Sequence, residues 1–472
     1  MTRIRSVLAL LAAGCLLYVQ SQAQSGLQHP RRIAVFGSSV ANGTGDEFNK
    51  EGYTGMLRQL MAARGWEVLN QSRGGDTTVT LAERFSPQGA PAPGVRYLTP
   101  VNPGYAVIAL SLNNEGVFEA MTKEGKDAIF KQYADGIQGM VARARQNNIE
   151  PIVGLAYTRG VFTPVEYEYV RRINLLQNSW NVPSINFLGA VDDGKGKWAP
   201  GFSFDEKHPN ASGHKELLYA IVPTLFEAIE KGKPIPSKLP APAGFARLTG
   251  GTAPLTFEPP DTMHPFSISL MVRAETDGTI AAISGASLAA RSEMKKFAVP
   301  GRSVDFQSTV LSADSPFTAT IGIQKGKWIY KAAGAAGVTS SIDSDSDWHH
   351  VVLSHYAARG ETLFFVDGKL AGAVAERLQP SRFVFGGPGS VGGNAVPKQV
   401  DLRDIFLFRA GLNADEVAAL GQGKVLQASL EIYSPLNDSQ FRPGSAVENR
   451  AQSLAGLKVG SDRILHVEHD PR

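Results

Sequence analysis

Cysteine is almost absent: Cys15 is the only one in 472 residues. A mature chain lacking it has no internal disulfide, no thiol nucleophile and no thiolate cluster for a metal, so its folded parts must rest on their own apolar cores. Charge of one sign is also scarce. The 47 Lys and Arg nearly balance the 44 Asp and Glu, for a net charge of +3. No basic run is interleaved with aromatics, so nucleic acid is not an expected partner. No apolar run approaches the ~20 residues a bilayer span needs, so no integral membrane span is expected in the mature chain. Neither a fixed-period repeat nor a low-complexity tract occurs, apart from one proline-rich stretch. Glycine, by contrast, is plentiful (49 residues), as in chains with many tight turns and much β structure.

The N-terminus reads as a leader. Arg3 and Arg5 precede the apolar run Val7–Val19, and Ser21-Gln22-Ala23 gives a small-x-small cleavage pattern. Residues 1–23 are therefore expected to be a signal peptide, and the protein to be exported to the periplasm or the exterior. An alternative is lipid anchoring through Cys15, since Leu11-Ala12-Ala13-Gly14-Cys15 resembles a lipobox, although Ala12 stands where that motif prefers Leu.

The proline spacing of residues 233–244, Lys233-Pro234-Ile235-Pro236 through Pro240 and Pro242, predicts an extended linker. Before it, over residues 30–232, apolar strands alternate with helical patterns. Strands are expected at Ile33–Phe36, Glu67–Leu69, Tyr105–Leu112, Pro151–Ala156 and Ser184–Leu188. Helices are expected near Gly52–Arg64, Lys126–Asn147, Pro164–Trp180 and Ser212–Lys231. Such alternation implies a parallel sheet covered on both faces, with its ligand site at the carboxyl ends of the strands. After the linker, residues 245–472 carry short alternating runs such as Phe266–Val272, Trp348–Ser354 and Thr362–Val366, the last followed by an Asp367-Gly368 turn. This half reads as an all-β sandwich, with Asn413–Leu420 a short helix and Ser429–Leu436 a final strand.

Four short segments, each at the end of an expected strand, supply the parts that acyl transfer needs. Ser39 in Phe36-Gly37-Ser38-Ser39 can project as a nucleophile. Gly75 and Asn113 offer a backbone N–H and a side-chain amide to an oxyanion. Asp205 and His208, three residues apart, can provide a base and the group that orients it. Taken singly, each also fits a blander role: a turn at Gly37-Ser38, turn residues at Asn113-Asn114, a helix cap beside a surface histidine. Arg73 reads as a solvated loop charge, His214 as part of the closing helix.

These segments resemble the blocks of the SGNH (GDSL-type) hydrolases, over roughly Arg31 to Lys231. The resemblance implies a flavodoxin-like three-layer α/β fold with catalytic Ser39, Asp205 and His208. It implies an oxyanion hole from Ser39, Gly75 and Asn113, with Gly74 leaving the glycine's register open by one residue. No cofactor and no metal are called for. Three positions depart from the family pattern: Ser38 replaces the aspartate of GDS, Ser111 the glycine of GxND, and Asn114 its aspartate.

The second half resembles the concanavalin A-like, laminin G-type jelly-roll sandwich, on Phe266–Arg273, Asp347–Ser354, Leu363–Leu370 and Asp401–Phe408. In that pattern Trp348 is expected to pack in the core, and no acidic cluster suggests calcium. The half is expected either to bind glycan or to shape the catalytic cleft. The combined expectation is an exported serine esterase acting on an acylated carbohydrate. The alternatives are a lipid or general carboxylester hydrolase, and a non-catalytic glycan-binding surface protein.

Overall fold

A computed structural model describes residues 29–238, 244–248, 254–299, 302–334, 337–386, 399–436, 440–460 and 465–469. The leader, with Cys15 and the Ala23 cleavage pattern, and the second half of the proline-rich linker lie outside the described residues.

The first half is built on five parallel strands: β1 (Arg32–Gly37), β2 (Glu67–Asn70), β3 (Tyr105–Ala109), β4 (Glu150–Gly154) and β5 (Ser184–Ile185). Their spatial order is β2-β1-β3-β4-β5, the flavodoxin-like arrangement, which opens a crevice between β1 and β3 at their carboxyl ends. Because side chains alternate along a strand, each strand feeds two cores. Ala34, Phe36, Ala106 and Ile108 pack with Tyr133, Ile137 and Met140 of the helix Lys123–Gln146. On the opposite face, Ile33, Val35 and Val107 pack with Leu57, Leu217 and Phe226 from the helices Gly52–Ala62, Ala211–Tyr219 and Leu225–Glu230.

Three elements differ from the sequence reading, each for a local reason. The closing helix breaks into two around Pro223, which cannot continue the amide ladder. The third strand stops at Ala109 because Ser111 and Asn114 close a 3₁₀ turn over Leu112–Glu115. The fifth strand stops at Ile185 because the next N–H, that of Asn186, is taken by Ser429 Oγ of the second half at 2.8 Å.

The second half contains β6 (Gly244–Leu248), β7 (Leu255–Phe257), β8 (Phe266–Arg273), β9 (Gly278–Val299), β10 (Arg302–Gln324), β11 (Lys327–Lys331), β12 (Val338–Asp343) and β13 (His349–Tyr356). They are followed by β14 (Glu361–Val366), β15 (Lys369–Ala375), β16 (Leu378–Phe385), β17 (Val400–Phe408), β18 (Leu430–Ser434), β19 (Gln440–Phe441), β20 (Lys458–Val459) and β21 (Leu465–His469). One sheet runs β12-β11-β10-β9-β16-β7-β20 and the other β15-β14-β13-β8-β17-β6-β21-β19, with β18 beside β17. Residues of both sheets share one apolar core, Ile268, Leu270, Val351 and Leu353 facing Ile283, Ile321, Trp328 and Phe383. The strand expected to be last, β18, is followed by three more. Trp348 is half-buried and not in that core. Its ring lies beside Phe245 with the Arg273 and Arg403 guanidinium carbons 4.8 and 4.2 Å from its centroid, while Trp328 fills the interior. Among the described residues no helix is long and apolar enough to cross a membrane.

The two halves meet through buried polar groups as well as apolar ones. Gln427 Nε2 donates to the carbonyls of Trp180 and Val182, both at 2.6 Å. Ser429 Oγ donates to Ala220 O at 2.6 Å while accepting from Asn186. Arg171 pairs with Asp415 at 2.7 Å. Ser429→Ala strands a buried donor and a buried acceptor, so it is expected to cost about 1–3 kcal/mol, read as a lower midpoint in denaturant with an unchanged slope.

Candidate active site

The crevice between β1 and β3 is where the first segment turns outward. Gly37 has no room for a side chain, since a Cβ there would lie 2.1 Å from Ala109 O. That close approach brings the chain out at buried Ser38 and starts a short helix, Ser39–Asn42, with Ser39 at its first position. His208 Nε2 stands 3.0 Å from Ser39 Oγ. Its Nδ1 is 2.9 and 3.0 Å from the two oxygens of Asp205. Ser39, His208 and Asp205, 169 and 3 residues apart in the chain, thus form one hydrogen-bonded line.

Asp205 is held from its own backbone. Its Oδ1 accepts the N–H of Lys207 at 2.8 Å and of His208 at 2.9 Å. Burial pushes its carboxyl up, but the His208 imidazole and those backbone donors outweigh burial and hold it below the usual carboxylate range. It therefore stays ionised and faces an imidazole whose Nδ1 it orients.

Gly74 and Gly75 lie exposed at the mouth. A Cβ on Gly74 would come 3.7 Å from the Ser39 Cβ, and Gly75 takes a left-handed φ of 84° with open space around it. Among the described residues neither the Ser39 nor the Gly75 N–H has a protein acceptor. Asn113 Oδ1 is buried without a partner, while its Nδ2 is neither enclosed nor engaged.

The three departures from the family pattern interlock. Asn114 Nδ2 donates to Ser38 Oγ at 2.9 Å, and Asn114 Oδ1 accepts from Ser111 N at 2.9 Å. Ser111 Oγ donates to Tyr157 O at 2.7 Å. Two neutral side chains thus join the ends of β1 and β3, where the pattern would place two aspartates.

The glycine loop is fixed by Asp76, fully buried, which accepts from Arg73 at 3.0 and 2.5 Å, from Thr80 Oγ1 at 3.0 Å and from Arg84. Arg73 is therefore a half-exposed loop ion pair. His214 lies inside the closing helix, its Nε2 3.0 Å from Thr44 O and its Nδ1 3.4 Å from Tyr53 N, behind the loop that follows Ser39. Sequence reading missed Arg159. Its guanidinium bonds Glu119 at 2.8 Å and Glu206 at 2.9 Å and so braces the turn that carries Asp205 and His208. No motif marks it. Among the described residues no three His, Cys, Asp or Glu side chains converge as a metal site.

The fold and this line of groups define a three-layer α/β domain bearing a Ser–His–Asp array at its topological switch point. Comparison places this class beside a known family: residues 35–216 match the model of the GDSL-like lipase/acylhydrolase family. No curated protein matches the chain. Among solved structures, a protein of Bacteroides ovatus provisionally described as carbohydrate-binding aligns over 50% of this chain and 62% of its own, at 11% identity and a TM-score of 0.35. The chain thus spans less than two thirds of that relative. The acetylxylan esterase Axe2 of Geobacillus stearothermophilus aligns over 41% and 94%, at 16% identity and a TM-score of 0.32. A pentraxin of Limulus polyphemus aligns over 48% and 98%, at 13% and 0.29.

Burial drives the His214 imidazole down to about 4, against the pull of Thr44 O and Asp46. Between that value and the ordinary ~6.5 the unfolded chain binds a proton that the folded chain refuses, so this contribution to stability grows as pH rises through the window. His214→Gln is expected to lower the melting temperature at pH 7 and to flatten its slope between pH 4 and 6.5. An unchanged slope would contradict this reading.

Proposed function

We propose that the protein is an exported serine esterase that removes acetyl or other small acyl groups from carbohydrate. The observation that carries the reading is the unbroken line Ser39 Oγ–His208 Nε2, His208 Nδ1–Asp205. His208 takes the Ser39 proton as Oγ attacks the ester carbonyl, then returns it to the leaving alcohol. Asp205 holds the imidazole tautomer and stabilises the cation. The N–H groups of Ser39 and Gly75 and the amide of Asn113 receive the oxyanion. Water, deprotonated by the same histidine, then releases the acid from Ser39.

Support for a glycan substrate is of a different kind. Gly74 stands beside Ser39, a Cβ there coming 3.7 Å from the serine's own, and Gly75, Asn113, Asn114 and the half-exposed Arg73 on the adjoining segments are likewise small or polar. Such a rim suits a hydroxyl-rich acceptor better than a long acyl chain. Export rests on the leader pattern, and the laminin G-type likeness of the sandwich agrees with a glycan-facing enzyme.

Acetate release from acetylated polysaccharides and aryl acetates is the test. The native chain is expected to turn over, Ser39→Ala to lose at least ~10³-fold, and Asn113→Ala to lose about 10²–10³ in kcat. Rates across an acyl-chain series should fall with length. A preference for long chains would overturn the carbohydrate assignment, and full activity in Ser39→Ala would overturn the mechanism.

A further inference from the structure

Strands β9 and β10 are 22 and 23 residues long, whereas no other strand of the sandwich exceeds nine. At ~3.3 Å per residue each spans about 70 Å, far more than the sandwich needs. The surplus is visible in the pairing. Strand β16 accompanies β9 only from Ala281 to Ser287, and β11 joins β10 only from Thr320 onward. Between Leu288 and Ala313 the two strands pair with each other alone, beyond a register irregularity at Ala313/Pro316. A two-stranded ribbon is marginal by itself in water, so this half needs a surface to lie on.

That surface is the segment carrying Asp205 and His208. Thr309 N donates to Gly201 O at 2.8 Å, and the Thr309 hydroxyl fills the space a Cβ on Gly201 (φ 83°) would take. Asn210 Nδ2 reaches Gln307 O at 3.3 Å. Between these two anchors the Phe204 ring packs against Phe306 and Phe297, with centroids 4.9 and 5.8 Å apart. Phe204 also touches the nucleophile's loop, since a Cβ on Gly45 would lie 3.1 Å from the Phe204 Cβ and 3.0 Å from the His208 Cβ. Glu47 completes the tie: one carboxylate oxygen accepts Ala211 N at 2.7 Å and the other Lys295 Nζ of the ribbon at 3.2 Å.

We propose that the free-standing half of the ribbon is a positioning element of the hydrolase site, with Phe306, acting through Phe204, holding the Asp205–His208 turn in line with Ser39. The inference rests on the serine-esterase reading and assigns the sandwich a part in that site's alignment. A histidine displaced by about 1 Å costs up to ~10²-fold in rate, so the contact has leverage although it touches no substrate.

The test uses the full chain and two readouts: hydrolysis of an aryl acetate, and the rate at which a fluorophosphonate labels Ser39. Phe306→Ala is expected to lower kcat and the labelling rate together, by about 10- to 100-fold, with KM unchanged and Phe306→Leu restoring most of the loss. Met294→Ala, on the exposed face of the same ribbon, should match the native chain. Phe297→Ala, at a half-buried position, stands in if Phe306→Ala fails to fold. Native kcat and labelling in a folded Phe306→Ala or Phe297→Ala would overturn the proposal, as would a change confined to KM for the aryl acetate. Ser39→Ala separates the two levels. If it retains hydrolysis, the esterase reading itself fails; if it is inactive while the ribbon variants are native, only the ribbon's role falls.

Discussion

The imidazole of His208 has to sit between two oxygens carried by segments that are far apart in the chain, and much of the first half serves that placement. Ser39 is delivered by the close approach of β1 to β3 at Gly37, where a methyl group would strike Ala109 O. Asp205 is delivered by a turn whose own N–H groups bind its carboxylate. Neither delivery depends on a long, mobile side chain. The geometry is set by backbone, which suits a site that must hold its alignment while charge develops.

Around this line the charges are arranged in small paired sets. Asp76 is paired with both Arg73 and Arg84, which leaves one positive charge, and Arg159 with both Glu119 and Glu206, which leaves one negative charge. The join between β1 and β3 is made by neutral Ser38, Ser111 and Asn114, which hydrogen-bond in sequence. The positions that set this chain apart from the GDSL-type pattern are therefore mutually consistent.

Much of the hydrolase half was legible because its strands are short apolar runs and its helices repeat at helical spacing, as in Tyr133, Ile137 and Met140. What escaped the sequence lies where a remote contact decides. The fifth strand is cut short by Ser429, more than 240 residues away. Trp348 leaves the core because two arginines flank its ring. The long ribbon escaped most completely. Its outer residues mix polar ones, such as Arg291-Ser292-Glu293 and Lys295-Lys296, with scattered apolar ones (Met294, Phe297, Val304, Phe306, Val310, Leu311), and nothing local pairs Phe297 and Phe306 with Phe204. The candidate site lay within reach because three of its four segments directly follow β1, β2 and β3, and the fourth, in the loop between the helices Leu188–Val191 and Ala211–Tyr219, carries the close Asp205/His208 spacing; the groups that brace it, Arg159 and the ribbon, follow no motif.

Mass mapping after reaction with an organophosphonate probes the central claim most directly, because it asks which atom is the nucleophile without assuming a substrate. The account predicts one equivalent of adduct, carried by the peptide containing Ser39 and strongly reduced in His208→Ala. An adduct on another residue, or undiminished labelling without His208, would contradict it.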